Sequence, residues 1–217
     1  MRILDVKQGS EEWLAARAGI VTASELDNLI SPTLKVREGA TPLTYLYTKL
    51  AEKWQGFPSQ SFGGGVMEQG SILESEALPW FAINQNVDVR KVGLVLTDDG
   101  SFGASPDGLT DDFGIEIKCP QPTNHVRWLL GGKVPDEHLL QCYGGMWATG
   151  LKEWRFVSYC RGFPPLVLAL KRDALVMQLI GKTVSEFNER LAEAHKILEE
   201  ANGGPRQEEQ DNDDHSF

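Results

Sequence analysis

The stretch Ser105-Pro106-Asp107-Gly108, followed after an acidic turn by Gly114-Ile115-Glu116-Ile117-Lys118, constrains this fold more than any other part of the chain. In a strand, side chains at i and i+2 point the same way. Ile115 and Ile117 are then expected to face a core, with Glu116 and Lys118 together on the opposite face. The turn read at Asp111-Asp112-Phe113-Gly114 predicts a hairpin that carries Asp107 on the neighbouring strand. Two carboxylates and one lysine would then share a sheet surface. Metal-assisted phosphodiester hydrolysis needs such a set: hard oxygen ligands for a divalent cation and a positive group beside the attacking water. A solvated hairpin with a surface Glu/Lys pair has the same local sequence, so the strand alone leaves both readings open.

Length and composition narrow the frame. A chain of 217 residues can bury a full core as one domain. No apolar run approaches the ~18 residues of a membrane span, and Met1-Arg2-Ile3-Leu4-Asp5 does not read as a signal peptide. Cys119, Cys142 and Cys160 are odd in number and widely spaced, which points to reduced, buried thiols rather than disulfides, zinc or an iron–sulfur cluster. The expected location is the cytoplasm. The net charge of −10 argues against a protein that coats nucleic acid over its whole surface. Much of it is local: seven acidic residues against Arg206 lie between Glu199 and the C-terminus. The basic residues elsewhere can still line a concentrated channel.

Ser10 is read as the cap of a helix over Glu11–Ala18 closed by Gly19. Thr22-Ala23-Ser24-Glu25 has capping-box spacing and opens a second helix to about Ile30. Further helices are expected from Thr41 to Gly56 and from Val66 to Asn84, separated by a flexible loop at Gly63-Gly64-Gly65. Val87, Val89, Val92, Leu94 and Leu96 suggest strands. Cys119–Pro135 reads as irregular, Glu137–Thr149 as a helix, Glu153–Tyr159 and Leu166–Leu170 as strands, and Asp173 to Ala201 as a long helix. The expected fold is mixed α/β, with a central mixed sheet flanked by helices. Residues 1–201 are expected to form a single domain, and 202–217 an acidic, disordered tail.

Five blocks in order then carry a family resemblance: Gln8-Gly9…Trp13…Arg17…Gly19…Thr22-Ala23-Ser24; Gly70…Glu74; Ser105-Pro106-Asp107-Gly108; Glu116-Ile117-Lys118-Cys119-Pro120; and Gln141…Met146-Trp147. Together they resemble the lambda-type phage exonucleases, the YqaJ-like viral recombinases of the PD-(D/E)xK nuclease superfamily. The resemblance covers nearly the whole ordered chain. It implies a restriction-endonuclease-like core and a magnesium-dependent 5′→3′ exonuclease on double-stranded DNA, leaving 3′ overhangs for phage-type recombination. It further implies a ring-shaped homotrimer, a single-strand annealing partner, and a phage- or prophage-encoded protein in a bacterial host.

On this resemblance Asp107 and Glu116 are metal ligands, completed by the backbone carbonyl of Ile117. Glu74 joins a second magnesium or its water shell, and manganese is left open as an alternative. Lys118 is assigned to positioning water and stabilising charge rather than to sole base duty. Arg17, Ser24, Ser105 and Gln141 match the positions that hold a 5′-terminal phosphate, where arginine supplies a planar fork of donors. Trp13 and Trp147 are read as core aromatics. Lys35, Arg37, Arg127 and Lys133 are candidates for backbone contact, and His125, His138 and His195 receive no role. Two other readings stay open: an endonuclease on the same fold, for which an end-binding pocket has no use, and an end-binding subunit with dead chemistry, for which Asp107, Glu116 and Lys118 have none.

Overall fold

The computed structural model describes residues 1–58 and 66–202, with backbone alone at 66–72 and at 202. The glycine run Gly63-Gly64-Gly65 and residues 203–217 of the expected tail lie outside the described residues. Ser10 caps α1 (Glu11–Arg17) by accepting the Trp13 amide at 3.3 Å. Gly19 follows at φ +70°, and a Cβ there would lie 2.6 Å from the Lys53 side chain. Both its left-handed backbone and this close approach require glycine.

After β2 (Val21–Thr22) the chain winds into a six-residue 3₁₀ helix, Ala23–Asn28, in place of the expected capped α-helix. The physical reason lies in Thr22. Its hydroxyl donates to Glu25 Oε2 at 2.6 Å and makes no bond to a backbone amide. The helix start thus has no side-chain cap, and a short, tight turn results. By contrast, α2 (Ala40–Gln55), which ends on left-handed Gly56, and α3 (Val66–Gln85) form close to where the sequence places them.

The strands form two four-stranded mixed sheets. In the first, the order is β1 (Arg2–Leu4), β3 (Leu94–Leu96), β4 (Phe102–Ala104), β2, with β2 and β4 parallel. In the second, β5 (Gly108–Leu109), β6 (Phe113–Lys118), β7 (Glu153–Ser158) and β8 (Leu166–Lys171) run in order, with β6 and β7 parallel. The mixed α/β class therefore stands, with the strands divided between two sheets. Val87 and Val89 lie outside any strand; Arg90 alone bridges to Leu109. The hairpin turn falls earlier than expected. The Thr110 amide donates the turn bond to the Phe113 carbonyl at 2.9 Å, so Phe113 and Gly114 already belong to β6.

Helix α4 (Pro122–Gly131) occupies the segment expected to be irregular. Pro122 suits a first helical position, and Gly132 at φ +61° ends the helix. Two further helices, α5 (Asp136–Thr149) and α6 (Ala174–Asn202), complete the fold. Glycines seat α5 against the sheet. A Cβ on Gly145 or on Gly114 would lie 2.4 Å or 2.2 Å from the Trp154 ring, so this indole is clasped between helix and strand. On its other side, Gly144 lets α5 approach Ala23 and Leu26 of the 3₁₀ helix, where a Cβ would meet atoms at 2.8 Å. Beneath β6, Ile115 and Ile117 join Ala77, Leu78 and Phe81 of α3 in a buried cluster, each large side chain contributing roughly 1.5–3 kcal/mol. A larger core lies between α5, α6 and the first sheet.

Candidate active site

Asp107 stands just before β5 and is pinned to β6 twice. Its amide donates to the Ile115 carbonyl at 3.1 Å, and its Oδ2 accepts the Ile117 amide at 2.5 Å. Gln8 braces the same loop by donating to the Pro106 carbonyl at 2.9 Å and to the Val92 carbonyl at 2.9 Å. One strand further in, Glu116 is only 3% exposed, and Lys118 Nζ lies 2.7 Å from its Oε1. The face opposite Ile115 and Ile117 is therefore covered, and β6 is buried on both sides along most of its length. This is no solvated strand face, and the pair is no surface ion pair.

The charges on this face are unbalanced. Burial raises the Asp107 pKa well above the usual carboxylate value, and Glu116 and Glu74 push it further. Glu116 is also raised, by burial first and then by Glu74, against the pull of Lys118. Glu74, reaching in from α3, is raised by loss of water despite Lys118 and Lys91. For Lys118, burial opposes the charge, but Glu116, Asp107 and Glu74 together hold the pKa above the ordinary lysine value. Three carboxylates thus surround one committed cation.

That donor set fits a hard divalent ion. Asp107 and Glu116 each have one oxygen engaged within the fold and one without a hydrogen bond among the described residues. No three ligating side chains among the described residues converge into a ready-made metal cluster. Magnesium asks for less, taking one or two carboxylates and filling its shell with water and phosphate oxygens.

Arg17, at the end of α1, supplies the opposite charge. Its guanidinium lies over the Trp13 ring at 4.3 Å. It donates to Ser105 Oγ at 3.3 Å, Thr22 Oγ1 at 3.2 Å and Ser24 Oγ at 3.3 Å. All three acceptors are neutral hydroxyls, and among the described residues Arg17 has no carboxylate partner. A half-buried guanidinium in that state has the charge and donors to receive an anion.

One cavity of about 310 Å³ joins both halves. It is lined by Arg17, Ser24, Ser105, Gln141, Glu74, Asp107, Glu116 and Lys118, with Gln8, Trp13 and Trp154 among its other walls. Each proposed ligand or phosphate contact from the sequence lies there except Ile117, which lines the adjoining cavity with Asp107 and Glu74. Lys35, Arg37, Arg127 and Lys133 do not line it. Arg127 instead pairs with Glu137 at 3.2 Å and Lys133 with Asp136 at 3.0 Å.

Two contributors escaped the sequence reading. Trp13 is half-buried and functions as more than filler, since its indole N–H donates to Ser105 Oγ at 2.9 Å. Thr22 takes part through its hydroxyl; its place beside Ser24 in the first sequence block was the available signal. Trp147 is a packing residue as expected, edge-on to Phe102 at 4.7 Å. His138 stacks on Phe156, and burial holds its pKa down to about 4, so it is a neutral aromatic. His125 is fully buried between Ser158 Oγ at 2.7 Å and the Pro164 carbonyl at 3.1 Å.

The profile of the YqaJ-like viral recombinase domain matches residues 12–152 of this chain. Among solved structures, the chain is similar to an alkaline exonuclease, LHK-Exo, from Laribacter hongkongensis, at 30% identity and TM-score 0.79, covering 89% of this chain and 98% of that one. The same enzyme in complex with dAMP superposes at TM-score 0.80 with 30% identity over the same shares of the two chains. A phage-related exonuclease from Haemophilus somnus 129PT shares the fold, at TM-score 0.64 and 13% identity, over 84% of this chain and 96% of that one. No curated protein sequence matches the chain. Among the described residues, no helix is long and apolar enough to cross a membrane.

Proposed function

The chain belongs to the YqaJ-like viral recombinase domain family, and on that premise we propose that it is a magnesium-dependent 5′→3′ exonuclease on double-stranded DNA ends. Its product would be a 3′ single-stranded overhang for recombination. The observation that carries the reading is the shared cavity: an arginine with no carboxylate partner among the described residues opens into the same space as Asp107, Glu116, Glu74 and Lys118. A 5′-terminal phosphate bound at one end leaves the next phosphodiester over the carboxylates. End recognition and chemistry are thereby linked by distance.

Asp107, Glu116 and the Ile117 carbonyl would hold magnesium, with Glu74 serving a second ion or its water. Bound there, magnesium would supply charge neutralisation at the scissile phosphate and a more acidic water. The chain's own groups do the rest. Lys118, kept protonated by three carboxylates, orients the attacking water and offsets negative charge gathering on the phosphate oxygens. Arg17, Ser24, Ser105 and Gln141 fix the 5′-phosphate, and so decide which strand end enters. Trp13 and Gln8 brace Ser105 and the Pro106–Asp107 loop.

The remaining assignments belong to the same proposal. Residues 1–201 act as one catalytic unit, three copies form a ring around DNA, and a single-strand annealing protein receives the overhang. The test uses linear duplexes with 5′-phosphate or 5′-hydroxyl ends and a closed circle. Each is incubated with magnesium or calcium, with wild type or Lys118→Ala. Loss of the linear phosphorylated duplex only with magnesium and intact Lys118 supports the reading. Cutting of the circle would move it to an endonuclease, and end binding without cleavage in either metal to a dead-chemistry adaptor.

A further inference from the structure

Behind Arg17 lies a buried ion network for which the reaction itself has no use. Lys49, on α2, is 3% exposed. Its ammonium lies 3.0 Å from Glu25 Oε1 and 2.9 Å from Glu52 Oε2. Glu52 also accepts the Gly19 amide at 3.2 Å, just past the end of α1. The second oxygen of Glu25 accepts the Thr22 hydroxyl at 2.6 Å and the Tyr45 hydroxyl at 3.3 Å. Thr22 is the same residue that receives Arg17 at 3.2 Å. Glu25 is therefore one hydroxyl away from the guanidinium, and among charged neighbours it acts most strongly on Arg17.

Left to itself, a carboxylate so close to an arginine would close a direct pair, among the strongest contacts a protein makes. No such pair forms among the described residues. Room for it exists, since Arg17, Glu25, Lys49 and Glu52 all line a cavity of about 540 Å³. Lys49 is what engages Glu25 on the far side. Burying an ammonium costs several kcal/mol unless carboxylates surround it, and an apolar side chain at this position would pack without that cost. The charge needs a reason.

We propose that Lys49 is a positioning residue for the phosphate pocket: its buried ammonium holds the Glu25 carboxylate off Arg17 and so leaves the guanidinium open to an incoming 5′-phosphate. The inference rests on the reading of Arg17 as the 5′-phosphate receptor. Without Lys49, Glu25 becomes an unpaired carboxylate beside the pocket. It then pairs with Arg17, and the receptor is neutralised from inside. The carboxylates around Lys118 are not touched, so hydrolysis itself is spared.

The experiment compares kcat/KM on 5′-phosphate and 5′-hydroxyl duplexes for wild type, Lys49→Met, Glu25→Gln and the double variant. Lys49→Met is expected to lower the phosphate-to-hydroxyl ratio by about tenfold, the loss of one charge-assisted contact, with the hydroxyl-end rate retained. Adding Glu25→Gln restores the ratio, because the carboxylate that acts most strongly on Arg17 is gone while Glu52 stays on the Gly19 amide. Glu25→Gln alone keeps the wild-type ratio, and Lys49→Gln, which keeps a polar side chain without the charge, replaces Lys49→Met if that variant fails to fold. Equal losses on both ends, no rescue in the double variant, or a lowered ratio in Glu25→Gln alone would each overturn the inference while leaving the exonuclease reading intact. A wild-type enzyme indifferent to the 5′-phosphate would overturn the pocket reading and this inference with it.

Discussion

At the scale of single residues, the site is defined by charges that do not balance. Lys118 cannot neutralise Asp107, Glu116 and Glu74 together; burial first, and for Asp107 and Glu116 the neighbouring carboxylates after it, raises their pKa values. Replacing Lys118 by alanine should lower turnover by about a hundredfold or more, the usual cost of removing a preorganised charge from a transition state, while binding to DNA ends persists in a gel-shift assay. The same excess has a pH signature. A carboxyl whose folded pKa is raised gives stability that is fully present below its unfolded pKa of ~3.9 and is lost as pH rises through the folded value. With metal chelated, wild-type melting temperature should therefore fall more steeply than that of Asp107→Asn as pH rises above ~4. The depressed pKa of His138 acts in the opposite direction on acidification, and it cancels in the difference between the two proteins. Magnesium should stabilise wild type more at the higher pH. Identical pH slopes with and without Asp107 would contradict the charge argument.

At the scale of elements, the site depends on how closely α5 approaches β6. Gly145 and Gly114 clasp Trp154 from either side, and the same approach carries Gln141 to the cavity wall beside Lys118. Gly145→Ala should cost roughly 1–3 kcal/mol by overpacking, read as a lower denaturation midpoint with unchanged slope. A midpoint equal to wild type would mean that Trp154 can shift freely and that the clasp is not a constraint. The sequence announced some of these elements and hid others for physical reasons. Strand β6 was legible because Ile115 and Ile117 alternate with Glu116 and Lys118, although both of its faces are covered. The pair β1 and β2 was not: three and two residues carry no period, and pairing with distant partners makes them strands. Helix α4 was hidden by Pro122 and by Gly131-Gly132, which read as breakers until one recognises them as its two ends. The 3₁₀ helix was misread because Thr22 and Glu25 have capping-box spacing, yet each bonds the other's side chain.

At the scale of the whole molecule, one geometry decides what the protein does to DNA. The residues that could grip a terminal phosphate and those that could cut beside it were recognisable as sequence blocks, but the cavity that joins them exists only after α1, the 3₁₀ helix, β6 and α5 have come together. Lys49 and Glu25 were invisible in sequence for the same reason, since their meaning lies in what each keeps the other from touching. A cavity that binds a 5′-phosphate and cuts the next bond should release 5′-mononucleotides one at a time and spare the complementary strand. The most direct measurement is a time course on a linear duplex with distinguishable labels on the 5′-terminal and 3′-terminal nucleotides of one strand. The account predicts that the 5′ label appears first, as a mononucleotide, while the 3′ label stays in long DNA. Early release of the 3′ label, or internal fragments that keep both labels in long pieces, would contradict it.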